Sequence, residues 1–132
     1  MKQSLLRNLL LLDAGVLLLL GALLILIPRQ VEVAFQFRDL PQGVSYIVSL
    51  CGCVLATLAL GYSVAARDPL RHVAWVQVGI ARSALECIVG VVYLARGVVT
   101  FQQADFGIVV AAAIALAYVV LYPRATSKIL SA

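Results

Sequence analysis

Three ionisable residues stand where charge is expensive. Asp13 interrupts an apolar run from Leu9 to Pro28, and Arg82 and Glu86 fall inside another from Val73 to Leu94. A charge at the centre of a bilayer costs about 2.5–3.5 kcal/mol on insertion scales, so such residues are expected to pair. Arg82 and Glu86 have the i,i+4 spacing that places two side chains on one helix face. Arg82 follows His72 by ten residues, which puts it roughly 15 Å into the membrane at a helix's rise. Asp13, on a helix entering from the same side, should lie about 8–12 Å deep, within reach of a long arginine. The expectation is a cluster of Asp13, Arg82 and Glu86, with Ser83 beside it on the same polar face. Two carboxylates against one guanidinium leave one negative charge uncompensated, and a proton carried by one acid would settle it, as a proton-coupled site requires. The cluster could instead fix helix register, as buried ion pairs sometimes do.

These charges need long helices to carry them, and composition supplies the setting. Of 132 residues, 64% are hydrophobic and 12% charged, and the mean hydropathy is +1.07; soluble domains run at about 45–50% apolar and about 25% charged. Four apolar runs approach or exceed the ~20 residues that a ~30 Å hydrocarbon core demands. They predict spans at about 8–28, 43–66, 71–95 and 105–122. Only helices satisfy their own backbone in lipid. The fold class expected is therefore all-α, an integral membrane four-helix bundle forming one domain over residues 1–132, with the lipid bilayer as its first partner.

Sidedness follows from the basic residues. Lys2, Arg7, Arg67, Arg71, Arg124 and Lys128 fall on one side, and Arg29, Arg38 and Arg96 on the other. The excess predicts both termini in the cytoplasm and a plasma (inner) membrane protein. The net charge of +4 is scattered among segment ends and forms no stripe for nucleic acid. The first run is too long for a cleaved signal peptide, and Arg29-Gln30-Val31-Glu32 after Pro28 offers no small-residue cleavage site, so a retained helix is expected.

The connections and packing faces carry their own signals. Asp68-Pro69 reads as an N-cap with proline at the first helical position, starting the third helix inside its loop. Asp105 has the same reading for the fourth helix. Val31, Val33, Phe35 and Phe37 alternate with Glu32, Ala34 and Gln36, a period of two that predicts a short extended segment in the first outer loop, or a strand for a partner chain. In the second span Ser45, Ser49, Gly52, Ala56, Ala59 and Ser63 share one face, and in the fourth Gly107, Ala111 and Ala115 lead into Tyr118 and Tyr122. Small residues let backbones approach closely, within the bundle or in a homo-oligomer or a complex with other membrane subunits. On the third helix His72, Trp75, Gly79, Arg82, Ser83, Glu86, Gly90, Tyr93 and Gly97 fall within an arc of about 100° that should face the bundle interior. Gln77 lies opposite, near enough to the boundary to snorkel.

Other chemistry lacks its residues. Cys51 and Cys53 are about 200° apart on a helix, a poor arrangement for one metal, and burial in apolar surroundings explains Cys51, Cys53 and Cys87 better. His72 is the single histidine, so no bis-histidine haem site can form within one chain. There is no CxxC pair, P-loop, dinucleotide fingerprint or serine elbow. The expectation is no cofactor, no metal and no enzyme acting alone.

Four short spans, an N-in start, a long first outer loop, an arginine on a polar third helix, and the run from Gly61-Tyr62 to Arg67-Asp68 together resemble the DoxX-like group of small bacterial membrane proteins. The resemblance covers the whole chain in layout, without a diagnostic motif. It implies an accessory membrane subunit or a binder of a small lipophilic molecule, with no catalytic residue to transfer. The alternative expectation is a proton- or ion-coupled transporter acting as a homo-oligomer, with Asp13 or Glu86 exchanging protons. The chain is similar to small multidrug exporters in size and helix count. Their helix-one carboxylate, however, sits among aromatic residues, and Asp13 sits between Leu9–Leu12 and Leu17–Leu20.

Overall fold

The computed structural model describes residues 1–37 and 39–123, the side chain of Gln42 excepted. Arg38, Arg124 and Lys128, which entered the charge count, lie outside these residues. Five helices follow in order: α1 Lys2–Leu26, α2 Pro28–Ala34, α3 Gln42–Ala65, α4 Val73–Ala95 and α5 Phe101–Leu121. All but α2 are long and apolar enough to cross a membrane. Their outer surfaces agree, because Leu12, Leu19, Leu60, Leu85, Val109 and Leu116 are each more than 60% exposed. Side chains of this size, spread around every helix, find their solvent in lipid.

α1 packs along α3 and α4 along α5, and the two pairs join mainly through α1 and α5. Glycine sets the closest approach within the first pair. A Cβ on Gly21 would stand 2.8 Å from the carbonyl oxygen of Gly52, and one on Gly52 would stand 2.8 Å from that of Gly21. Along the same seam the Ser49 hydroxyl donates to the carbonyls of Ser45 at 2.9 Å and Leu24 at 3.2 Å, and Ala59 is buried. Ser63 turns its hydroxyl back to Ala59 O at 2.8 Å. In the second pair Gly79 lies under the Tyr118 ring and Gly90 against Ile108, and Ala111 is buried. Gly107 does not share this role: a Cβ there would meet nothing within 4 Å.

Three local expectations are corrected. Residues 31–37 are not extended, since most of them belong to α2, and no strand occurs among the described residues. Pro28 occupies the first turn, a position for which its fixed φ and missing N–H suit it. Helical bonds then run from Val31 N to Ile27 O and from Phe35 N to Val31 O, satisfying the backbone without a partner strand. Gln36 ends the helix with a φ of 63°, and bonds from Gln36 N to Val33 O and Phe37 N to Glu32 O complete a Schellman turn. No residue of α2 is buried, so the alternation never reported a sheet face. The Glu32 carboxylate accepts from Ser45 Oγ at 3.2 Å and fastens α2 to α3.

The second correction concerns α5, which begins four residues before Asp105. Thr100 and Gln103 form a reciprocal capping box, so Asp105 lies inside the helix. The third concerns Asp68. Its Oδ1 accepts from Arg71 N at 3.3 Å, as a cap should, but the capped turn ends at His72, whose φ of −111° and ψ of 40° interrupt it before α4 starts at Val73.

Candidate functional site

α1, α3, α4 and α5 all send side chains toward a common centre. Asp13 is completely buried on α1, where the surrounding leucines favour an unbroken helix and offer its carboxylate nothing polar. Its partners come from across the bundle. Arg82 Nη2 donates to Asp13 Oδ1 at 2.8 Å and to Oδ2 at 3.0 Å, and the Tyr118 hydroxyl donates to Oδ2 at 2.9 Å. Three charge-assisted hydrogen bonds thus hold one carboxylate between α4 and α5. The guanidinium carbon of Arg82 lies 5.8 Å from the centroid of the Tyr62 ring on α3, within the range of cation–π attraction.

Aromatic packing holds this arrangement in place. Tyr62 stacks on Tyr118 with centroids 6.5 Å apart and meets Trp75 edge-on at 5.6 Å. The six-membered ring of Trp75 lies directly on Gly61, whose missing side chain provides the space. Leu6, Leu10, Leu17, Val76 and Ala59 enclose the polar centre in an apolar shell.

Glu86 is held differently. Arg82 Nη1 donates to Glu86 Oε1 at 3.2 Å, and the glutamate side chain is 45% exposed while that of Asp13 is 1% exposed. Ser83 is fully buried, and its Oγ bonds to neither acid. Among the described residues, three buried polar atoms make no hydrogen bond of good geometry: Tyr62 Oη and Arg82 Nε, whose side chains lie beside each other, and Ser83 Oγ. Each can donate, and a buried donor left unmade costs about 1–3 kcal/mol. The centre therefore combines a saturated acid, a cation with an unused N–H, and two unused hydroxyls.

The chain brings Asp13, Arg82 and Glu86 together and leaves Ser83 beside them. Reading the sequence missed Tyr118 as a partner of Asp13 and Tyr62 as part of the centre. The available signal was placement: Tyr118 continues the Ala111–Ala115 packing face, and a buried tyrosine tip needs a hydrogen-bond partner. Gln77, expected to snorkel toward the boundary, is exposed and donates to the hydroxyl of Tyr122, at the end of α5, at 2.9 Å. Cys51 and Cys53 are exposed, and Cys87 directs its Sγ toward Ile108 O at 3.6 Å. No group of His, Cys, Asp and Glu among the described residues could hold a metal ion. No protein-family model, curated protein or solved structure matches the chain.

Proposed function

We propose that this chain is a non-catalytic membrane protein that holds a small lipophilic molecule by a polar group at the Asp13–Arg82 centre, as a binding protein or an accessory subunit. The observation that carries the reading is the group of buried polar atoms at the centre that make no well-formed hydrogen bond among the described residues, Ser83 Oγ foremost, with Tyr62 Oη and Arg82 Nε beside it. An ion pair that served only to fix register would gain by satisfying them. A carbonyl or similar acceptor on an otherwise apolar molecule would supply what they lack. The DoxX-like layout is consistent with such a role, and the excess of basic residues at one end supports cytoplasmic termini in an inner membrane. The exposed small and apolar faces leave room for a second copy or a companion subunit.

Native mass spectrometry of the protein extracted with its lipids tests this reading, since it reports copy number, companion chains and retained small molecules together. A bound molecule present in the parent and lost from Tyr62→Phe and Arg82→Met is the expected result. The same bare mass in all three folded proteins would overturn the reading.

Proton-coupled transport is the second reading. It is favoured by Glu86, a half-exposed carboxylate with a single 3.2 Å contact near the middle of α4. Under that reading Glu86 exchanges the proton and Asp13 remains locked. Uptake by the purified protein in proteoliposomes under a pH gradient, abolished by Glu86→Gln, would establish transport; uptake equal to that of empty vesicles would exclude it.

A further inference from the structure

A second polar feature lies at the end of the bundle formed by the start of α1, the α3–α4 turn and the end of α5. An open cleft of about 320 Å³ lies there, lined by Gln3, Ser4, Arg7, Arg67 and Pro69 together with Met1. Arg7 comes from α1 and Arg67 from the α3–α4 turn. Pro69, in the same lining, is fully buried and anchors the turn that carries Arg67.

The neighbouring acid does not neutralise them. Asp68 Oδ1 accepts from Arg71 N at 3.3 Å, and the Asp68 carbonyl lies 3.2 Å from His72 N and 3.0 Å from His72 Nδ1. Asp68 is thus taken up in shaping its own turn. Among the described residues, neither Arg7 nor Arg67 has a carboxylate within ion-pair distance. The run Arg67-Asp68-Pro69 gains a reason: the aspartate and proline fix the turn, and the arginine has no carboxylate partner among the described residues.

Beside this cleft is a second depression, of about 280 Å³, which shares Gln3 and is lined by Leu6, Leu70, Val120 and Leu121, with Lys2 at its edge. A basic cleft that shares Gln3 with a neighbouring apolar depression, at the end of membrane-capable helices, matches one chemistry. We infer that Arg7 and Arg67 bind the phosphate of an anionic phospholipid, whose glycerol and upper acyl chain lie along the exposed Leu70 and Val120. Guanidinium groups suit this role because their paired N–H groups match phosphate oxygens, and basic clefts between helices at the membrane surface are where such headgroups bind. Free phosphate shares the charged half of this chemistry but makes no use of the apolar groove.

The inference is independent of the proposed function. Its test is a titration of the purified, delipidated protein with phosphatidylglycerol, phosphatidylcholine and inorganic phosphate, read by native mass spectrometry. Each arginine should contribute about fivefold to phosphatidylglycerol affinity, so Arg7→Gln with Arg67→Gln should weaken it about 25-fold. Arg71→Gln, on the same turn but outside the cleft, should change it less than twofold. Competition by millimolar inorganic phosphate would support the arginine site and assign it to free phosphate. Equal retention of the two lipids, or a loss in Arg71→Gln as large as in the double variant, would overturn it.

Discussion

Replacing Gly79 by alanine adds one methyl group that touches no charged atom, yet it should disturb the buried acid. A Cβ on Gly79 would stand 2.8 Å from Tyr118 Cε2, where ordinary contact begins at 3.4 Å. The ring must therefore retreat by about 0.6 Å or α4 and α5 must part; overpacking of this kind costs typically 1–3 kcal/mol. Tyr118 cannot retreat freely, because its hydroxyl donates to Asp13 Oδ2 at 2.9 Å. Losing that bond to a charged acceptor adds about 1.5–3 kcal/mol. Unfolding in mixed micelles by increasing SDS, followed through the single tryptophan, Trp75, measures the sum. Gly107→Ala is the control, since nothing lies within 4 Å of its Cβ, and it should be neutral or stabilising by up to about 1 kcal/mol. In a Tyr118→Phe background the Gly79→Ala penalty should shrink by at least about 0.5 kcal/mol, because the hydrogen bond is already gone. Equal effects of Gly79→Ala and Gly107→Ala would refute the packing; an undiminished penalty in Tyr118→Phe would refute the link to Asp13.

Two further outcomes follow from the same geometry. Gly61→Ala must displace the Trp75 ring that lies on it, so the emission of Trp75 should shift and stability fall by about 1–3 kcal/mol; an unchanged spectrum would contradict the contact. Gly97 has a φ of +68° and closes α4 with bonds from Gly97 N to Leu94 O and from Val98 N to Tyr93 O, so Gly97→Ala should lower the thermal midpoint, at a cost of about 1 kcal/mol. Gly97→Asn should recover part of that loss, and identical midpoints for all three proteins would exclude the turn.

The four long helices were legible because lipid leaves the backbone so little choice: length and apolarity alone fix them. The pairing of Asp13 with Arg82 was legible for a related reason, since depth from a helix end is a simple function of residue number and two charges at one depth seek each other. Contacts that depend on how helices rotate against one another were not. Tyr118 and Tyr62 carry no charge to reveal them; Tyr118 is placed by its packing on Gly79, and Tyr62 by its edge-on contact with Trp75, whose ring lies on Gly61. Short segments failed differently. Seven residues from Val31 to Phe37 are too few for a period of two to outweigh the helix start at Pro28. The Thr100–Gln103 capping box was present in the sequence, but Asp105 nearer the apolar run was the more visible cap.

The central physical claim is that Asp13 and Arg82, brought from α1 and α4 to 2.8 Å, form one buried electrostatic unit. A double-mutant cycle with Asp13→Leu and Arg82→Met measures this directly. Each single change leaves a charge without its partner and should cost about 3–5 kcal/mol, whereas the double change leaves neither and should cost less than either single one. Penalties that add to within about 0.5 kcal/mol would mean that the two side chains do not depend on each other.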